Sequence, residues 1–144
     1  MKETPVKTKS YAFAIRIVKL FQWLRAKENE QVLSKQILRC GTSIGANVEE
    51  AGGAYSERDF YAKIQIAFKE ALETRYWLRL LRDTDYIEPK AFDSLYADCD
   101  ELIRLLSSIT KTLREKNAEV KEPPDFDPDA LYSSPAPQLL TPNS

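Results

Sequence analysis

Histidine is absent from the 144-residue chain. Its absence excludes Ser-His-Asp and Cys-His nucleophiles, and every His-ligated zinc, iron or haem site. Acid–base chemistry would rest on carboxylates, Lys, Tyr or Cys alone. Cysteine is scarce, at Cys40 and Cys99, and both fall on apolar helical stripes as core thiols rather than a disulfide or a nucleophile. The four glycines cluster at Gly41, Gly45, Gly52 and Gly53, whereas all-β folds need turn glycines spread along the chain. No apolar run approaches the roughly 20 residues of a membrane-spanning helix, and no apolar stretch of signal-peptide type follows the basic N-terminus. The expectation is a soluble, cytoplasmic, all-helical protein without cofactor, metal or membrane partner.

Composition changes near Asn117. Six of the eight prolines lie beyond it, with Glu119, Glu122, Asp125, Asp127 and Asp129 against the single base Lys121. So many prolines interrupt helix and so little apolar content builds no core. The reading is an N-terminal extension over 1–9, a helical body over 10–117 and a disordered acidic tail over 118–144. Two apolar pieces of the tail, Ala130-Leu131-Tyr132 and Leu139-Leu140, are candidates to dock on a partner. The chain holds 21 bases and 22 acids; with one base and five acids in the tail, the body carries a net +3.

Four amphipathic helices are predicted, joined by short loops into an antiparallel up-down-up-down four-helix bundle. The first starts after Ser10 and runs to about Ala26. Phe13, Ile17, Leu20 and Leu24 form one apolar stripe, and Lys19, Gln22 and Arg25 form a wet face. The second runs from about Gln31 into Gly52-Gly53, with Leu33, Ile37, Cys40, Ile44, Asn47 and Ala51 inward. Its interior glycines each cost roughly 1 kcal/mol relative to alanine. Gly41 and Gly45, four apart on one face, imply close approach of another backbone. Asn47 is expected as a buried amide that fixes register.

The third helix opens at Ser56-Glu57-Arg58-Asp59, an N-cap with an acid at the capping-box position, and extends to about Asp83. Phe60, Ile64, Ala67, Ala71 and Leu78 share one face. Ile66, Phe68, Leu72, Tyr76, Trp77, Leu80 and Leu81 lie off it, so this helix is apolar around much of its circumference and a partner subunit is expected to cover it. The fourth opens at Glu88-Pro89. Phe92, Leu95, Cys99, Leu102, Leu106, Ile109 and Leu113 continue it as the seam of a bundle.

Two constellations bear on function. Glu70 with Glu73, and Asp98 with Glu101, are acid pairs at i, i+3 on two helices, an arrangement with which some all-helical nucleotide pyrophosphatases hold magnesium. Nearby Lys69 and Arg75 instead fit solvated ion pairs. Arg75, Arg79 and Arg82 form one ladder along the third helix; with Lys35 and Arg39 they are the candidate phosphate contacts.

Leu33-Ser34-Lys35-Gln36-Ile37-Leu38-Arg39 and Thr42-Ser43-Ile44-Gly45-Ala46-Asn47-Val48-Glu49-Glu50-Ala51 resemble the signature of the small bacterial four helix bundle proteins, which include those encoded by intervening sequences within 23S rRNA genes. Ser56, Asp59-Phe60, Lys63, Ile66-Ala67, Lys69-Glu70-Ala71, Glu73-Thr74 and Tyr76-Trp77-Leu78 match the second block, and the likeness spans roughly 10–115. The resemblance implies a homopentameric ring or barrel of four-helix bundles. The accessory protein of diversity-generating retroelements is similar to these, and there a basic barrel binds nucleic acid and a reverse transcriptase. The motif residues Gly41, Gly45, Asn47, Glu49, Glu70, Glu73 and Trp77 read as packing and ion-pair positions. The expected function is a non-enzymatic oligomer that binds structured RNA or a nucleoprotein partner. The alternatives are a magnesium-dependent nucleotide hydrolase or a pure protein-interaction scaffold.

Overall fold

The computed structural model describes residues 3–119 and 127–132. Four main helices carry the molecule: α1 (Pro5–Lys27), α2 (Leu33–Ala51), α3 (Glu57–Asp83) and α4 (Pro89–Glu119). A short α5 (Pro128–Tyr132) follows, and there is no strand among the described residues.

α1 begins at Pro5, earlier than the expected start after Ser10. Proline sits at the first helical position, where its fixed φ suits the helix, behind an extended Thr4. Ser10 lies inside the helix, buried, with its hydroxyl donating to the Lys7 carbonyl at 3.2 Å. A serine that satisfies itself on its own helix needs no cap position. The α1 C-terminus and the α3 C-terminus turn without glycine. Asn29 (φ 52°) lets the Glu30 N–H reach the Leu24 carbonyl at 2.9 Å. Asp85 (φ 66°) does the same for Tyr86 and Leu81, since short polar side chains tolerate the left-handed region. At the start of α3 the Ser56 hydroxyl accepts from the Asp59 N–H at 3.0 Å, while Asp59 accepts from the Tyr55 N–H at 3.3 Å.

The inward stripes meet in one core. Phe13, Ile17 and Leu24 of α1, Ile37, Cys40 and Ile44 of α2, Phe60, Ile64, Ala71 and Leu78 of α3, and Cys99, Leu102, Leu106 and Leu113 of α4 are almost completely enclosed. α1 packs mainly on α2 and α4, and α3 likewise on α2 and α4, so α1 and α3 stand across the core from each other. Cross-links run in opposite chain directions, the residue numbers rising on one helix as they fall on its partner. Lys63 joins Glu50 and Arg39 joins Glu73 between α2 and α3; Lys9 joins Glu101 and Arg16 joins Asp98 between α1 and α4.

The close approach expected at the α2 glycines is present, and α1 is what approaches. A Cβ at Gly41 would stand 2.8 Å from Ile17 Cγ1, and one at Gly45 would stand 3.2 Å from the Ser10 backbone oxygen. Asn47 departs from expectation. It is half-buried, and its amide donates to the Ser43 carbonyl of its own helix at 2.8 Å. Val48 takes the inward position instead, 1% exposed. The two residues are one position apart on α2, and the apolar one wins the core because its burial needs no hydrogen-bond partner.

The described part of the tail, residues 118–119 and 127–132, departs from expectation. α4 continues through residues 118 and 119, and Pro128–Tyr132 form a helical turn docked on the body. Pro128 is the first residue of that turn, where a missing N–H does no harm. Leu131 and Tyr132 are 7% and 3% exposed. Leu139-Leu140 lies outside the described residues.

Candidate interaction surfaces

Two arginines of the ladder, Arg75 and Arg82, face carboxylates. Arg75 lies 4.0 Å from Asp100, which also pairs with Arg104 at 3.0 Å. Arg82 binds Asp83 at 2.7 Å and lays its guanidinium over the Phe92 ring, 4.3 Å from the centroid. The hydrogen bond between them raises the Arg82 pKa and lowers that of Asp83. Arg79 is exposed on the same helix, and Lys35 is exposed on α2.

Arg39 reaches from α2 to two carboxylates of α3, Glu70 at 3.5 Å and Glu73 at 2.5 Å. The Glu73 oxygen that takes Arg39 also accepts the indole N–H of Trp77 at 3.0 Å. Burial raises the Glu70 pKa, Arg39 opposes that rise and Glu73 adds to it. These residues clamp α2 to α3. Asp98 and Glu101 face the other way, toward Arg16 and Lys9 of α1. The four acids of the hydrolase alternative therefore form two separated pairs, each neutralised by a base. Among the described residues no group of three or more His, Cys, Asp or Glu side chains could hold a metal ion.

The two thiols are free and fully enclosed. Burial pushes Cys40 up to about 11 and Cys99 up to about 12. The Cys99 thiol donates to the Ala71 carbonyl at 3.4 Å. Neither is a nucleophile near neutral pH, because the thiolate is the reactive form.

The surface that stands out is apolar. Tyr11, Ile15 and Val18 of α1 lie at i, i+4 and i+7 and are 71%, 43% and 37% exposed. The sequence reading assigned α1 a wet outer face, and this second stripe corrects it. Beside it an open groove of about 770 Å³ runs between α1 and α2, floored by Ser10, Ala14, Gly45 and Ala46 and edged by Lys7 and Glu49. Across the molecule, Ile66 and Tyr76 of α3 are 43% and 53% exposed, and Phe68 and Leu72 of the same helix are half-buried. No helix among the described residues is long and apolar enough to cross a membrane.

Comparison with known proteins agrees with the helical architecture. The model of the 23S rRNA-intervening sequence protein family matches residues 2–108. A solved structure from Bacteroides thetaiotaomicron, a protein of unknown function from the S23 ribosomal protein family, is similar at a TM-score of 0.73 and 53% identity, covering 74% of this chain and 98% of its own. No curated protein matches the sequence. With the family model spanning α1, α2, α3 and most of α4, the chain belongs to the 23S rRNA-intervening sequence protein family.

Proposed function

We propose that the chain is an up-down-up-down four-helix bundle that self-associates into a closed ring and serves as a non-enzymatic scaffold. The observation that carries this reading is the exposed apolar residues on two helices, Tyr11, Ile15 and Val18 on α1 and Ile66 and Tyr76 on α3. α1 and α3 stand on opposite sides of the core. Two different faces on opposite sides favour a heterologous contact, the α1 face of one copy on the α3 face of the next, and such a contact generates rings when its rotation closes. A pentamer, which the family resemblance implies, is one such closure.

The scaffold reading is favoured over nucleic-acid binding by the state of the cations. Three of the five candidate cations, Arg39, Arg75 and Arg82, already face carboxylates, so phosphate would have to displace those partners; Arg79 and Lys35 are exposed. It is favoured over a magnesium hydrolase by the division of the four acids between two sides of the bundle. Light scattering on the purified full chain tests the proposal. A mass several times that of the 16.5 kDa chain is expected, and a monomer at all accessible concentrations overturns it.

A further inference from the structure

The end of the body where α1 and α3 begin and α2 ends holds a cleft that the chain fills with its own tail. Tyr132 enters it almost completely, 3% exposed. Its hydroxyl donates to the Val48 carbonyl of α2. Its ring meets Phe60 of α3 edge-on, centroids 5.0 Å apart. Lys7 of α1 places its ammonium 4.7 Å from the Tyr132 ring centroid and 2.7 Å from Asp129 Oδ1. Leu131 is buried beside them. Three helices thus supply an aromatic wall, a backbone acceptor and a cation that together read an acid three residues before a tyrosine.

The receptor and the plug have different origins within the chain. Lys7, Val48 and Phe60 all lie inside the residues that define the family, 2–108, whereas α5 lies beyond them. The body therefore carries the cleft and the tail is an appendage that occupies it. Charge fits the occupant: a mostly buried lysine on the receptor side meets a segment that has Asp127 and Asp129 and no base between residues 122 and 144.

We infer that this cleft is a docking site for a short acidic Asp-x-Leu-Tyr segment of a partner protein, held closed in the free chain by Asp129-Ala130-Leu131-Tyr132. Eight residues, 120–127, tether α5 to α4, and a short tether gives an effective concentration on the order of millimolar. A competing segment must overcome that local concentration, so the tail sets a threshold on what can bind. The proposal does not depend on self-association, since every receptor residue belongs to one chain.

The test uses a fluorescent peptide with the sequence of residues 126–133 and the full-length protein. Anisotropy should show at least tenfold tighter binding to the chain carrying Leu131→Ala with Tyr132→Ala, whose cleft is vacated, than to the unaltered chain. A peptide with Tyr132→Phe, lacking the hydroxyl for Val48, should bind several-fold more weakly, and one with Asp129→Asn should lose most of its salt dependence. Equal affinity for both chains overturns the proposal, as does no saturable binding to a vacated chain whose circular dichroism is helical. Should the double variant not fold, the Tyr132→Phe chain replaces it, because it keeps the ring in place. Peptide affinity above that of the unaltered chain then supports the proposal, and no difference overturns it.

Discussion

Gly41 of α2 faces Ile17 of α1 so closely that a Cβ on the glycine would stand 2.8 and 2.9 Å from the isoleucine's Cγ1 and Cγ2. Both atoms sit one bond from the Ile17 Cβ, and the side chain is fully enclosed, so a β-branched group with one favoured rotamer in a helix cannot swing aside. Gly41→Ala gains about 1 kcal/mol of helix propensity and loses about 1–3 kcal/mol to overpacking. A net destabilisation of about 1 kcal/mol is expected in urea unfolding. Adding Ile17→Ala should make the double variant more stable than the sum of the two single losses, because the new methyl fills part of the vacated space. Gly45→Ala, whose Cβ meets Ser10 at 3.2 Å, should cost less than Gly41→Ala.

The clamp at Glu73 separates charge from hydrogen bonding. Glu73→Gln retains an acceptor for the Trp77 indole and removes the charge facing Arg39. Arg39 is half exposed, so solvent screening limits the loss to below about 1 kcal/mol. That loss should shrink when the same unfolding curves are recorded in high salt. Glu73→Ala removes the indole's acceptor as well and should retain a deficit that salt does not erase.

The buried thiols set a pH dependence whose sign follows from their raised values. Unfolded cysteine ionises near 9.0, while folded Cys40 and Cys99 keep their protons to about 11 and about 12. Above pH 9 the unfolded state binds fewer protons than the folded state, so stability is complete below that pH and falls as pH rises toward 11–12. Each thiol contributes a slope of at most about 1.4 kcal/mol per pH unit. Denaturation midpoints between pH 9 and 11 should fall less steeply in Cys99→Ala than in the unaltered chain. A disulfide-exchange reagent at pH 8 should modify neither thiol until the protein is unfolded.

Heterologous packing makes a prediction that isologous packing does not share. Ile15→Glu spoils the α1 face and leaves the α3 face intact; Ile66→Glu does the reverse. Each variant alone should be monomeric by light scattering with unchanged helical circular dichroism. Mixed in equal amounts they should form a dimer and nothing larger, since one intact face of each kind remains. If the Ile66→Glu variant self-associates alone, two α1 faces pair with each other and the ring geometry is wrong.

The sequence by itself determined the four main helices and their inward stripes. Phe13-Ile17-Leu20-Leu24 and the long series from Phe92 to Leu113 repeat at helical spacing, and burying such a stripe has one local solution. Ser56 and Pro89 marked helix starts because capping and proline geometry are properties of a few adjacent residues. The glycine pair at 41 and 45 announced a close approach, since nothing local compensates two interior glycines. Only the tertiary structure decided what depends on partners distant in the chain. Asn47 and Val48 compete for one inward position, and the core takes the side chain that needs no hydrogen-bond partner. Tyr11, Ile15 and Val18 form an exposed apolar stripe on the helix whose outer face was assigned to Lys19, Gln22 and Arg25. Arg39 and Arg75 read as available cations because their carboxylate partners lie on other helices. The tail's composition argued for disorder, yet Tyr132 finds Phe60, Val48 and Lys7 waiting in a cleft that exists only once three helices have come together.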